Sequence, residues 1–254
     1  MTKHYDINWL IDSYESGETL KFIYFWGHSD TLNEGIGKFC LSQWFKSPFM
    51  IENKTYKTSE HWMMSQKALL FNDKKTFDKI ISVDRPEEAK ELGREVIGFD
   101  DAIWNDKRFE IVKIGNIHKF NQNPILADYL LRTGDKVLVE ASPTDIVWGI
   151  GLHQDSKGID NIYAWRGLNL LGFVLMEVRD FFNEFGHFKT LDNAQQTPWT
   201  MFPNIDKHDM FWTMGKGEDC IIQFYEYYND LSDRDKIIFT LTNPAPYDWS
   251  DIYE

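Results

Sequence analysis

Thr58-Ser59-Glu60-His61-Trp62-Met63-Met64-Ser65-Gln66-Lys67 decides how this chain is read. Thr58 and Ser59 are good N-cap residues, so a helix is expected over Glu60–Phe71. A helix repeats every ~3.6 residues, which sets Glu60 and Lys67 on one stripe, about 10 Å apart along the axis. Met63 and Met64 fill the rest of that stripe and read as buried. A carboxylate and an amine are thus tied to an apolar face, where a charge must be paired, protonated or put to use. Each has a plain explanation. Glu60 is favoured at a helix start by the macrodipole. Lys67 can lay its stem over apolar surface or join a structural ion pair. The chemical readings are a general acid or base for Glu60 and, for Lys67, an anion contact or a Schiff-base amine.

More helices are expected on both sides of this one. Asp6–Glu15 reads as a short amphipathic helix ending at Gly17, and Asp73–Ser82 as another. Pro86–Val96 opens with Pro86, Glu87 and Glu88, an acidic helix start. Asp100–Phe120 carries a broad apolar face, Pro124–Thr133 stops near Gly134, and Gly167–Phe185 is strongly apolar. Strands are few. Lys21–Trp26 is an aromatic run, Lys136–Glu140 alternates, and Phe49–Ile51 with Thr55–Lys57 flanks a Glu52-Asn53-Lys54 turn. Turn signals recur at Gly27, Asp30, Asn33, Gly35 and Gly37. After Gly186 the helical period fades and aromatics accumulate, with Cys220–Tyr228 read as a strand. The expected organisation is an N-terminal helix (1–20), a main domain (21–186) and an aromatic-rich C-terminal appendage (187–254) packing on it. The fold class is mainly α with a few short strands.

The chain has 254 residues, of which 43% are hydrophobic and 16% aromatic, enough for a full core. No run approaches about 18 apolar residues, so no membrane span is expected. The N-terminus lacks the basic-then-apolar order of a signal peptide. Cys40 and Cys220 form neither a disulfide framework nor a metal motif, and a cytoplasmic location is expected. No cofactor is called for. The net charge of −13 argues against binding duplex DNA, which rewards basic stripes. A small anionic ligand in a local basic pocket, or an exposed nucleotide, remains compatible with it.

Three further constellations bear on chemistry. Asp145-Ile146-Val147-Trp148-Gly149-Ile150-Gly151 sets two glycines beside a tryptophan, so that backbone can approach a ligand while the ring offers a flat face. Asp145 could equally cap a turn and Trp148 belong to the core. In Gly167–Arg179, Asn169 either caps the helix or bonds a ribose or phosphate. Trp104 and Arg108 lie one turn apart, either as a cation–π pair or as a stacking ring beside a phosphate contact, which Arg94 could join. Lys119 reads as part of a solvated face.

In combination these segments resemble the NADAR superfamily, also called YbiA-like. The motifs that carry the resemblance are Ser59-Glu60-His61 with Lys67 seven after Glu60, Asp145-x-x-Trp148-Gly149-x-Gly151, and Gly167-x-Asn169-x-Leu171-Gly172-x-x-Leu175-Met176-x-x-Arg179. The likeness runs from about residue 21 to 182. It implies a mainly helical domain and a metal-independent N-glycosidase that cleaves between ribose C1 and an exocyclic amine. Some members act on phosphoribosylamino-pyrimidine intermediates of riboflavin synthesis, others on ADP-ribose carried by guanine. The chain is accordingly expected to take a small phosphorylated ribosylamine or an ADP-ribosylated base. Glu60, Lys67 and Asp145 are the expected catalytic groups. Trp44, His61, Arg94, Trp104, Arg108, Trp148, Gly149, Gly151 and Asn169 are the expected substrate contacts. Ser42-Gln43-Trp44 departs from the Ser-Asn-Phe of many members, and residues 187–254 have no counterpart in the minimal domain. A non-catalytic ADP-ribose or nucleotide sensor is the competing class, and it could dispense with the acid and the amine while keeping the tryptophans.

Overall fold

The computed structural model describes residues 3–27 and 35–253; the turn signals at Asp30 and Asn33 fall outside them. The molecule divides into two compact units, one of Met1–Met50 with Lys54–Gly186, the other of Ile51–Asn53 with His187–Glu254.

The first unit is mainly helical. Its helices are α1 (Ile7–Glu15), α2 (Ser59–Leu70), α3 (Lys74–Ser82), α4 (Pro86–Arg94), α5 (Asp101–Gln122), α6 (Pro124–Arg132) and α7 (Leu170–Phe185). Local chemistry sets their starts. Thr58, Asp73 and Asp100 cap α2, α3 and α5 through their side-chain oxygens, and proline opens α4 and α6. Two short strands, β1 (Phe22–Phe25) and β4 (Val137–Glu140), pair in parallel with Phe25 opposite Glu140. The strands β2 (Phe49–Ile51) and β3 (Lys54–Tyr56) form a hairpin. Its turn is Glu52-Asn53 alone, with φ of 46° and 62°. Two successive left-handed residues make a two-residue turn, so β3 starts at Lys54, one residue before the expected Thr55.

The core lies between α2, α5, α7 and β4. The α7 helix is apolar on nearly every side and buried along most of its length. Gly115 of α5 admits the Trp62 ring, since a Cβ there would overlap it. The indole N–H of Trp62 then donates to the Ile111 carbonyl at 2.7 Å. A lysine is buried in the same core. Lys119 is fully shielded and donates to the Ser42 carbonyl at 2.9 Å. This corrects the expectation of a solvated face. The carbonyl that satisfies the ammonium comes from a segment distant in sequence, which helical periodicity cannot register.

The second unit is also helical where strand was expected. The segment expected as a strand, Cys220–Tyr228, lies inside α9 (Gly215–Asp230), which comes after the short α8 (Pro198–Met201) and before α10 (Asp233–Thr242). Phe224 and Tyr228 stack at 5.9 Å between ring centroids, as i, i+4 neighbours on a helix do. They join Trp212, Cys220, Phe239, Trp249 and Ile252 in an aromatic core of this unit. Among the described residues no helix is long and apolar enough to cross a membrane.

Candidate functional site

Glu60 occupies the first turn of α2 and is 2% exposed. Its backbone N–H donates to the Gln43 carbonyl at 3.1 Å, fixing the helix start against the Ser42-Gln43-Trp44 segment. The carboxyl oxygen Oε1 is sealed from solvent and has no hydrogen-bond partner. Burial raises this carboxyl to about 7, with Asp145 adding to the rise. Lys90, a hydrogen bond from the Trp44 indole and Arg94 oppose it. Lys90 also lies over the Trp44 ring, 5.8 Å from its centroid. Residues 90 and 94 are one turn apart, so α4 presents both cations towards the carboxyl.

Asp145 approaches from the loop after β4. Its Oδ1 accepts from the backbone N–H groups of Val147 (2.9 Å) and Trp148 (2.8 Å). Its carbonyl accepts from Gly151 N at 3.1 Å. Arg108 of α5 is half-buried, which lowers its pKa, while the opposing charge of Asp145 holds it up. The two glycines build this loop. A Cβ on Gly149 would stand 2.8 Å from the Glu140 carbonyl, and Gly151 has a φ of +68°. Close approach at Gly149 is therefore to the protein's own backbone. The Trp148 side chain is partly exposed at this loop.

Asn169 is committed to structure. It is fully buried, left-handed (φ 53°), and stands at the N-cap position of α7 without a side-chain bond to the helix. Its Nδ2 donates to the Leu138 carbonyl at 2.9 Å, and its Oδ1 accepts from Glu140 N at 3.0 Å. Both ends of the amide hold β4, so Asn169 acts on the site by fixing the strand that delivers Glu140. Asn169→Ala is expected to cost roughly 2–4 kcal/mol, from two unsatisfied buried backbone groups and a left-handed alanine. Urea unfolding measures this, and a loss below about 1 kcal/mol would contradict the clamp.

Lys67 forms a second cluster further along α2. Its Nζ donates to the Gly93 carbonyl at 2.8 Å and lies 4.0 Å from the Phe99 ring centroid and 5.7 Å from that of Trp104. Desolvation lowers its pKa, against the pull of Asp101 and with Arg94 assisting. No ion pair joins Lys67 to Glu60 among the described residues; Arg94 is the charge that both feel. His61 points elsewhere. Its ring nitrogens meet Thr58 Oγ1 at 2.9 Å and the Val83 carbonyl at 3.2 Å.

Two side chains absent from the expected set stand in the same field. Glu140, at the end of β4, has a carboxyl raised to about 8 by burial and then by Asp145 and Glu60, with Lys90 opposing. The charge of Lys90 favours ionisation of both glutamates. For Glu140 the signal in the sequence was its place directly after the apolar run Val137-Leu138-Val139, which is buried, with Glu140 half-buried at the strand end. For Lys90 it was the i, i+4 spacing to Arg94. Among the described residues no group of three or more His, Cys, Asp or Glu is arranged to hold a metal ion.

A family model for the NADAR domain matches residues 24–183. The chain is 42% identical over 168 residues to an N-glycosidase of Acanthamoeba polyphaga mimivirus, covering 64% of this chain and 97% of that protein. It is 30% identical over 166 residues to a riboflavin biosynthesis protein of Vibrio vulnificus, covering 64% of this chain and 41% of that one. Among solved structures it is similar to the Escherichia coli protein YbiA, with a TM-score of 0.50 and 26% identity over 68% of this chain and 92% of that one.

Proposed function

We propose a function from one established premise: the chain belongs to the NADAR family. Its relatives include an N-glycosidase and a riboflavin biosynthesis protein. We read this chain as an N-glycosidase that hydrolyses the bond between ribose C1 and the exocyclic amine of a heterocyclic base. The observation that carries the reading is Glu60, a buried carboxyl with an orphan oxygen, faced by Asp145 and flanked by Lys90 and Arg94. A purely structural carboxylate would be expected to have its acceptors filled.

The chemistry suits these groups. Breaking a glycosylamine bond builds positive charge at C1 and needs a proton on the departing amine. Glu60 moves the protons, and Asp145 orients water or a ribose hydroxyl. Trp104 and Trp148 hold the flat base, and Lys90, Arg94 and Arg108 supply the positive field for phosphate. A glycosylamine can also open to an imine. The Lys67 amine then adds to C1 and the exocyclic amine leaves with a proton. Water afterwards hydrolyses the new C1–Nζ Schiff base and restores the lysine. The lowered pKa of Lys67 makes the free amine more available for that addition.

The test is incubation with a phosphoribosylamino-pyrimidine and with an ADP-ribosylated guanine, side by side, reading products by mass. Release of the free base from one of them is the expected result. The net charge of −13 favours the small phosphorylated substrate. No release from either overturns the reading. Borohydride added during turnover should leave a reduced sugar on Lys67. An unmodified Lys67 together with full activity in Lys67→Ala removes the lysine route.

A further inference from the structure

The carboxyl of Glu60 is set against a segment that the proposed chemistry does not use. Ser42-Gln43-Trp44 meets the start of α2, where the Gln43 carbonyl accepts from Glu60 N at 3.1 Å. Trp44, the next residue, gives Glu60 the indole hydrogen bond that favours its charged form. Ser42 braces Trp44 in turn, its Oγ accepting from Trp44 N at 3.2 Å. Residues 42–48 belong to no helix or strand. What holds them must come from outside the segment.

The supports come from one side of α5. Asn116 Oδ1 accepts from Gln43 Nε2 at 3.3 Å, and Lys119 Nζ donates to the Ser42 carbonyl at 2.9 Å. Further on, Gln122 exchanges two 2.8 Å bonds with the backbone of Met50, and Asn123 Nδ2 donates to the Pro48 carbonyl at 3.3 Å. Positions 116, 119, 122 and 123 fall within about 120° of one another around a helix. Asn116 cannot turn its amide over, because Nδ2 is committed to the Val112 carbonyl at 2.8 Å. Lys119 is the costly member of the row. Burial lowers its ammonium to about 8, and an apolar side chain would fill the space without desolvating a charge. The one thing an apolar side chain could not supply is the bond to Ser42. The same helix carries Trp104 and Arg108 in its first half, so a single rigid element bears both a wall of the site and the support of its acid.

We propose that Lys119, with Asn116, is a positioning residue for Glu60: the two tie Ser42-Gln43-Trp44 to α5, and that segment in turn fixes the Glu60 carboxyl. This rests on the N-glycosidase reading and deepens it. Lys119 touches no reacting atom. Support passes from Lys119 to Ser42, from Ser42 to Trp44, and from Trp44 to the carboxyl. Without the ammonium, the Ser42 carbonyl still accepts from Phe45 N at 3.3 Å, so it is not left unpaired and the fold survives. What is lost is the tie to α5. Trp44 is then free to drift, and the charged form of Glu60 loses a donor.

The experiment uses the full chain, with Lys119→Met, Trp44→Phe and the double variant. Carbon-13 NMR of labelled glutamate carboxyls follows the titration of Glu60 without substrate, assigned by the signal missing in Glu60→Gln. The wild-type midpoint should lie at about 7. It should rise by about one pH unit in Lys119→Met and by a similar amount in Trp44→Phe. The double variant should rise no further than Trp44→Phe alone, because both changes act through one hydrogen bond. In turnover, Lys119→Met should lower kcat about tenfold and leave KM within about threefold. Asn116→Leu frees the same segment at Gln43, should move the midpoint the same way, and serves if Lys119→Met fails to fold. An unmoved midpoint in the folded variant overturns the proposal. So does a Lys119→Met shift that keeps its full size in the Trp44→Phe background, which would show the charge acting through space. Wild-type inactivity on both glycosylamines would instead sink the parent reading, and the titration would still decide whether Lys119 positions Glu60.

Discussion

Glu60→Gln is expected to lower kcat about 10³-fold and, above pH 7, to raise the melting temperature. The first effect follows from removing the group that moves protons at the C1–N bond. The second follows from the cost of burying its charge. The Glu60 carboxyl lies at about 7 in the folded protein, against an ordinary value of 4.5. Between those values the folded state binds more protons than the unfolded one. Stability from this group is therefore complete below about 4.5 and is lost as pH rises through 7. A shift of that size corresponds to about 3 kcal/mol at alkaline pH. Glutamine cannot ionise, so the variant escapes this loss. At pH 8 its melting temperature should exceed that of the wild type by on the order of 5–10 °C, and at pH 5 the two should nearly coincide. Melting curves at the two pH values decide the matter. A difference that does not change with pH would show that Glu60 is not ionised against its surroundings, and a variant of full activity would remove it from the chemistry. A buried acid whose ionisation costs the fold stability is a common mark of a functional site.

The legible part of this molecule was its local chemistry. Thr58, Asp100, Pro86 and Pro124 announce helix starts by mechanisms that act within one turn, and the structure places starts there. The resemblance to the NADAR family names Glu60 and Asp145 together, and Asp145 is among the charges that raise the Glu60 carboxyl. What escaped depends on partners far along the chain. Lys119 is buried because Ser42 offers it a carbonyl. Asn169 looked like a ribose ligand because nothing nearby in sequence shows that Leu138 and Glu140 consume its amide. His61 sits beside Glu60 in sequence, but adjacent helical residues point about 100° apart, which sends its ring to Val83. The α9 helix was missed for another reason. Cys220, Phe224, Tyr227 and Tyr228 recur at helical spacing, but aromatic side chains also favour strands, and composition outweighed period.

Gly172→Ala is expected to destabilise the first unit by about 3 kcal/mol or more, and Gly93→Ala by less than about 1 kcal/mol. Both glycines are helical, and in both a Cβ would overlap a neighbour. The neighbours differ in kind. At Gly172 the overlap is with the backbone carbonyl of Leu138, and the Asn169 amide stands 2.5 Å and 2.6 Å away through its nitrogen and oxygen. That carbonyl belongs to β4 and already accepts from Asn169. It cannot retreat without dragging the strand, its pairing with β1 and the carboxyl of Glu140. At Gly93 the overlap is with the side chain of Met64, which is flexible and can change rotamer. Alanine also gains up to about 1 kcal/mol of helix propensity over glycine, partly offsetting the repacking at Gly93. The two variants separate function as well as stability. Gly172→Ala displaces the end of β4, so activity should fall with stability. Gly93→Ala leaves β4 alone, and its carbonyl can still accept from Lys67, so kcat should stay within about threefold of wild type. Urea unfolding and steady-state kinetics on the same preparations test this, and equal costs at the two positions would show that the rigidity of β4 is not what holds the site.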